Sequence, residues 1–431
     1  MNKRMMSAAM IATAALAFTS CSTSKNAQNG NKNQVSVKDD GVATYPSEDM
    51  DMDRDFLIYS DAQRNIVNKN NGFAFQLFHQ IQGMDGKVVS PMSIAYLMGM
   101  LANGADGNTQ QEILKAIGCE GVSIKEVNEL YQGMMQVLGK QDKQTKVEIA
   151  NYIAINKDNK INKDFAKEVS ESYQAAIESL DFSSSKTTNR INGWCSEHTD
   201  GMIPKIIDQV DPGAVSYLMN AIYFNGTWQD KFDAHNTKLE NFQGYTRDIQ
   251  KVNMMHQVSK FFYTENDTYK AVNLPYGNGA FSMTILLPNE GKSIDEMMKG
   301  LDAEKFSKIY AGMENCMVNL KLPKFTTETS LDLNDIISKL GAPAMFNPSQ
   351  ANFSHFADGN FFVSKMLQKA KIEVSEQGTK AAAVTAAIML TSAAPVELRH
   401  VEFFANRPFV YAITDRQSGA ILFMGQYTGN H

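Results

Sequence analysis

"EVSEQGTKAAAVTAAIMLTSAAPVE" runs from Glu373 to Glu397, near the C-terminal end of a 431-residue chain. No charged residue stands between Ala381 and Val396, and nearly every side chain there is alanine, threonine, serine or a modest aliphatic. Such a run is too apolar for an ordinary surface loop. It is also too small-sided to fill the space around an ordinary core helix. No proline interrupts it before Pro395, so every backbone N–H that a sheet ladder requires is present. What a protein does with such a segment, the rest of the chain must say.

Upstream, the chain mixes helices and strands. Ser90 caps a helix with Pro91 at its first position, where the missing N–H is harmless. Ile94, Leu97, Met98 and Leu101 follow at helical spacing, and Gly104 marks the stop. Thr109 to Glu112 reads as a capping box opening another helix. Strands are expected at Val147 to Ile155, Tyr217 to Phe224, Phe281 to Leu287, Val318 to Leu322 and Ala420 to Tyr427. Several are apolar on consecutive positions, as strands buried on both faces are. These patterns define a large α+β domain without fixing its topology.

Composition is that of a globular chain, 43% hydrophobic and 20% charged. A net charge of -6, with no Lys/Arg cluster, gives no electrostatic footprint for nucleic acid. Lys3 and Arg4 precede an apolar run, Met5 to Phe18, that is too short for a mature membrane span and reads as a signal peptide over residues 1–20. Phe18-Thr19-Ser20-Cys21 resembles a bacterial lipoprotein cleavage box, which would leave Cys21 as a lipidated first residue anchoring the protein to membrane; a plain secretory signal is the alternative. Residues 21–61, rich in Ser, Asn, Lys, Gln and Asp, read as a flexible tether. Ser22 is not the aspartate that marks inner-membrane retention in some bacteria, so the expected location is the outer membrane, facing the periplasm or the cell surface.

Chemistry-bearing motifs are sparse. Cys119, Cys195 and Cys316 form neither a disulfide framework nor a CxxC metal pair. Cys195 shares a helical stripe with Ile191, Trp194 and His198 and reads as a buried thiol. No GxSxG, HExxH or GxGxxG occurs, and Gly291-Lys292-Ser293 lacks the upstream glycine of a phosphate loop. A hydrolase whose Ser, His and Asp meet only in space stays open at this level, but no catalytic residue, metal or cofactor is expected.

Four stretches carry a resemblance: "VVSPMSIAYLMGMLANGADGNTQQEI" (Val88–Ile113), "MNAIYFNGTWQDKFD" (Met219–Asp233), "KIEVSEQGTKAAAVTAA" (Lys371–Ala387) and "FFANRPFVYAITDRQSGAILFMG" (Phe403–Gly425). In order and approximate spacing they resemble the serpin family, from about Gln63 to the C-terminus. The resemblance implies an α+β serpin fold over 62–431: three β-sheets, about eight or nine surrounding helices and an exposed reactive-centre loop at about 376–398. It further implies an inhibitor of serine, and also cysteine, endopeptidases that acts as a suicide substrate. The protease cuts the loop, and once the acyl-enzyme forms the loop inserts as a central strand. The protease is distorted before it can deacylate, so the partner is a target endopeptidase held covalently by a monomeric inhibitor.

Residue by residue, Glu376, Gly378, Thr379, Ala381, Ala382 and Ala383 match the family's hinge. Trp228 matches the tryptophan beneath the point of first insertion. Ser90, Ser93 and Asn220 match the polar cluster under the middle of the large sheet, with Gln368 where the family often has histidine. Glutamine does not titrate near neutrality, so sheet opening is expected to lack a histidine's pH dependence.

As an inserting strand, the loop lays Thr379, Ala381, Ala383, Thr385, Ala387 and Met389 on one face and Lys380, Ala382, Val384, Ala386 and Ile388 on the other. Its only charge, Lys380, falls on the face that points to solvent in the family. Insertion would release on the order of 10 kcal/mol or more, at net ~0.5–1.5 kcal/mol per backbone hydrogen bond plus apolar burial. The family's spacing from the hinge glycine places the scissile bond at Ser392–Ala393, give or take one residue. Small residues there point to elastase-like proteases. A non-inhibitory serpin-fold binding protein is the competing reading; such relatives usually carry bulky or charged hinge residues.

Overall fold

The computed structural model describes residues 57–357, 359, 361–379 and 397–429, with the backbone of 36–37 and 43–44. In chain order, β1 (Ser36–Val37) pairs with β2 (Ala43–Thr44). Then come α1 (Asp61–Ile81), β3 (Lys87–Val89), α2 (Pro91–Gly104), α3 (Gly107–Ala116) and α4 (Ile124–Leu138). β4 (Thr145–Asn156), α5 (Lys163–Tyr173), β5 (Ala176–Leu180), α6 (Ser185–Glu197) and β6 (Ser216–Thr227) follow. A run of strands, β7 (Lys238–Gln243), β8 (Ile249–Glu265), β9 (Tyr269–Tyr276) and β10 (Phe281–Pro288), leads to α7 (Ile294–Lys299) and α8 (Ala303–Ala311). Next are β11 (Glu314–Pro323), β12 (Phe325–Asp332), α9 (Asn334–Lys339), β13 (Lys365–Ser375) and β14 (Gly378–Thr379). β15 (Arg399–Phe404), β16 (Phe409–Asp415) and β17 (Ile421–Tyr427) close the fold.

One sheet has six strands in the order β12-β13-β14-β6-β4-β5, with β13 also touching β6 directly. The other runs β15-β11-β8-β9-β10-β16-β17-β3, with β7 on β8. Its long strand β8 serves two sub-sheets. It pairs with β7 and β11 along most of its length and with β9 only from Phe262 to Glu265. Two sub-sheets sharing β8, beside the six-stranded sheet, make up the three-sheet architecture.

The expected runs of consecutive buried residues appear where sheets are covered on both faces. Every residue of β10, β16 and β17 is buried. In β6, Leu218, Ile222 and Phe224 join the main core, while Tyr217, Met219 and Ala221 join a second cluster that β4, β6 and α6 enclose. That alternation between two apolar environments is why β6 shows no polar face. Cys195, on α6, lies in the second cluster as a free, fully buried thiol, and burial pushes its pKa up to about 12. His198 is exposed at the end of the same helix and stacks on Trp194 at 4.5 Å.

Helix α2 begins as the sequence indicates, with Ser90 as N-cap accepting from the Ser93 N–H and Pro91 at N1. The next helix does not. Its cap is Asp106, and α3 starts at Gly107, before the expected capping box. Thr109 and Glu112 turn outward to tertiary partners instead: Thr109 Oγ1 accepts from the Asn352 N–H and Glu112 Oε2 from the Ala344 N–H. Long-range backbone donors outcompete the local box.

Candidate functional site: the parted end of the six-stranded sheet

Strands β13 and β6 run parallel and pair from Lys365↔Tyr217 to Lys369↔Ala221. Beyond that point they separate. Residues 370–373 of β13 and 222–225 of β6 have no ladder partner on this seam among the described residues. At the far end the space is filled by β14: Gly378 pairs with Ser375 and Thr227, and Thr379 with Val374 and Gly226. The first two residues after the Glu376-Gln377 turn are thus already strand, held on both sides. Lys380, Ala381, Ala382, Ala383, Ser392 and Ala393 lie outside the described residues, as does Cys21.

Local chemistry explains this seat. The turn's three carbonyls each accept a hydrogen bond from one short segment. The Trp228 indole N–H donates to Ser375 O at 2.9 Å, the Trp228 N–H to Gln377 O at 2.9 Å, and the Phe232 N–H to Glu376 O at 3.0 Å. Buried carbonyls left unpaired would each cost about 1–3 kcal/mol, so the segment after β6 holds the turn in place. Gly378 has φ +143°, and a Cβ there would stand 2.0 Å from the Gly226 carbonyl oxygen, so only glycine fits. Thr379 is fully buried, its hydroxyl 2.6 Å from that of Tyr276, whose ring stacks on Trp228 at 4.3 Å.

Glu376 anchors the turn from outside. Its carboxylate accepts from the Thr237 hydroxyl at 2.8 Å and pairs with Lys324 at 2.9 Å. Burial alone would push its pKa up. The Lys324 ammonium, a backbone N–H and the Thr237 hydroxyl outweigh that and hold it below the usual glutamate range.

At the paired end of the seam the polar residues divide into two groups. Gln368 Oε1 accepts from the Ser90 N–H at 3.1 Å, and its Nε2 donates to Ser90 O at 2.9 Å and Ser93 Oγ at 2.7 Å. The Ser90 hydroxyl donates to Leu422 O at 2.7 Å. Ser90, Ser93 and Gln368 therefore tie β13 to the start of α2. Asn220 is Gln368's register partner but belongs elsewhere: its Nδ2 donates to Asn151 on β4, whose own amide donates to Tyr173 O at the end of α5. Among the described residues no side-chain hydrogen bond joins Asn220 to the Gln368 group. Asn220 Oδ1 is buried with no partner among the described residues. One network ties β13 to α2 and the other ties β6 to β4, so parting the seam would break no side-chain bond between them. Tyr276, Thr237, Lys324 and Asn151 were not singled out by sequence, because each acts through a partner distant in the chain.

The sequence profile of the family Serpin (serine protease inhibitor) matches residues 68–429. The chain is 32% identical over 381 residues to the leukocyte elastase inhibitor of Equus caballus, covering 84% of this chain and 99% of that one. The native crystal structure of the thermophilic serpin tengpin superposes with a TM-score of 0.78 at 30% identity, covering 87% of this chain and 96% of tengpin. Thyroxine-binding globulin, solved in complex with thyroxine, has a TM-score of 0.77 at 25% identity, covering 84% and 99%. A mixed sheet parted between two parallel strands and a profile spanning the whole body place this chain in the serpin family. Serpins are mostly protease inhibitors rather than enzymes, and relatives of this chain are named as such.

Proposed function

We propose that this protein inhibits serine endopeptidases, and by the same route cysteine endopeptidases, as a suicide substrate. The protease attacks the segment after Thr379, and the freed strand then propagates into the gap between β13 and β6 before the acyl-enzyme hydrolyses. The single observation that supports this best is β14, because a strand seated on both neighbours at the parted end leaves only elongation to follow. Gly378, Thr379 and the alanines at 381–383 act as hinge. Trp228 and Glu376 hold its base, and Ser90, Ser93, Gln368 and Asn220 sit where the strands must slide. Gln368 carries no titrating proton into that step.

Cleavage falls at Ser392–Ala393, and the targets are elastase-like enzymes with small, apolar specificity pockets. The name of the horse relative is in keeping with that class. Cys21 carries lipid, residues 21–61 tether the body, and the protein stands on the outer membrane as a monomer. The likeness to thyroxine-binding globulin gives the competing reading, a serpin-fold binding protein. Mixing with elastase separates the two: a band stable in SDS near the summed masses is expected, and mass spectrometry should place the released peptide's start between Leu390 and Pro395. Cleavage without a stable band would leave binding as the function.

A further inference from the structure

The Tyr276 hydroxyl is fully buried, and among the described residues its one hydrogen-bond partner is the Thr379 hydroxyl at 2.6 Å. The ring cannot turn to seek another. It stacks on Trp228 at 4.3 Å and 12°, and meets the Phe224 ring edge-on at 5.0 Å. Gly226, the residue that pairs with Thr379, leaves the ring its space, since a Cβ there would come within 2.8 Å of it. A fixed phenol is thus aimed at the first inserting side chain, and withdrawal of Thr379 would leave a buried hydroxyl unpaired.

We propose that Tyr276 is a positioning residue for insertion, its hydroxyl reading the hydroxyl of the first loop residue and holding that residue at its place in the ladder. The proposal rests on the inhibitor reading. With the bond made, Thr379 is in register before cleavage, and the strand grows from it. With the bond absent, the hinge leaves its slot, and the first pairing must form while the acyl-enzyme is already hydrolysing. The loss falls on the branch between trapping and release, not on the protease's attack.

The test compares wild type with Tyr276→Phe, which keeps the stacked ring, and with Thr379→Val, which keeps the shape, and includes the double variant. For each, elastase cleavage kcat/KM at the loop and moles of inhibitor consumed per mole of enzyme trapped are measured. Tyr276→Phe should raise consumption by about fivefold, as loss of one buried hydrogen bond implies, with the cleavage kcat/KM unchanged. Thr379→Val should match it, and the double variant should be no worse than either single. Consumption unchanged in Tyr276→Phe, or additive losses in the double variant, would overturn the proposal. If wild type traps no elastase at all, the inhibitor reading has failed. The proposal then stands or falls on the uncleaved protein, where native-state hydrogen exchange at the Thr379 amide should quicken in Tyr276→Phe, and no change would overturn it.

Discussion

At the scale of single residues, the decisive position is Gly378. Its positive φ and its contact with the Gly226 carbonyl leave no room for a methyl group. Gly378→Ala should force β14 out of the gap, at about 1–3 kcal/mol of strain. The expected outcome is a shift from trapped to merely cleaved inhibitor by about tenfold, read from band intensities after reaction with elastase. That a glycine stands at the base of a small-sided strand was legible in the chain. What it must avoid was not, because Gly226 is far away in sequence and meets it only when β6 and β13 part. Thr379 is similar. Its suitability for burial shows in its side chain, while the phenol waiting for it is placed by the β9 strand and by Trp228 stacking.

Among secondary-structure elements, the seam between β13 and β6 depends on how β13 is tied to α2. Gln368 uses both ends of its amide on Ser90 and Ser93 and is 1% exposed. Gln368→His would set an imidazole in the same dry place, where the charged form is disfavoured and its pKa falls below the usual ~6.5. A group with a depressed folded-state pKa that must stay neutral loses stability as pH drops through its unfolded value. The melting temperature of Gln368→His should therefore fall between pH 7.5 and pH 5.5 relative to wild type, as scanning calorimetry at the two pH values would show. An equal fall in both proteins would refute it. The strands themselves were largely readable: the apolar run at Phe281 to Leu287 lies within β10, and that at Ala420 to Tyr427 begins one residue before β17, and both strands are covered on both faces. The start of α3 was misread because Thr109 and Glu112 serve distant backbone donors, a demand that local spacing does not encode. The division of Ser90, Ser93 and Gln368 from Asn220 was equally invisible, since it depends on which neighbour each strand leans against.

Across the whole molecule, the seam of the six-stranded sheet stands out: among the described residues, four of β13 and four of β6 lack ladder partners along it. On the proposed mechanism, nicking the segment after Thr379 completes that sheet, and the melting temperature should rise on the order of 10 °C or more for a gain of about 10 kcal/mol. A nicked protein that melts where the intact one does would contradict the mechanism. The family's overall plan could be read from four stretches of sequence, because those stretches carry the pairings on which the sheets depend. The parting of the sheet could not, since a gap is a property of two neighbours rather than of either. The seated end of the loop also bears on timing. Zippering onto an existing pair of strands resembles hairpin growth, a matter of about 1–10 μs, whereas enzymes typically turn over at about 1–10³ per second. On the proposed mechanism initiation is already complete, so the race against hydrolysis would be decided by how fast the attached protease can be hauled along, and the protein would begin that race ahead of the clock.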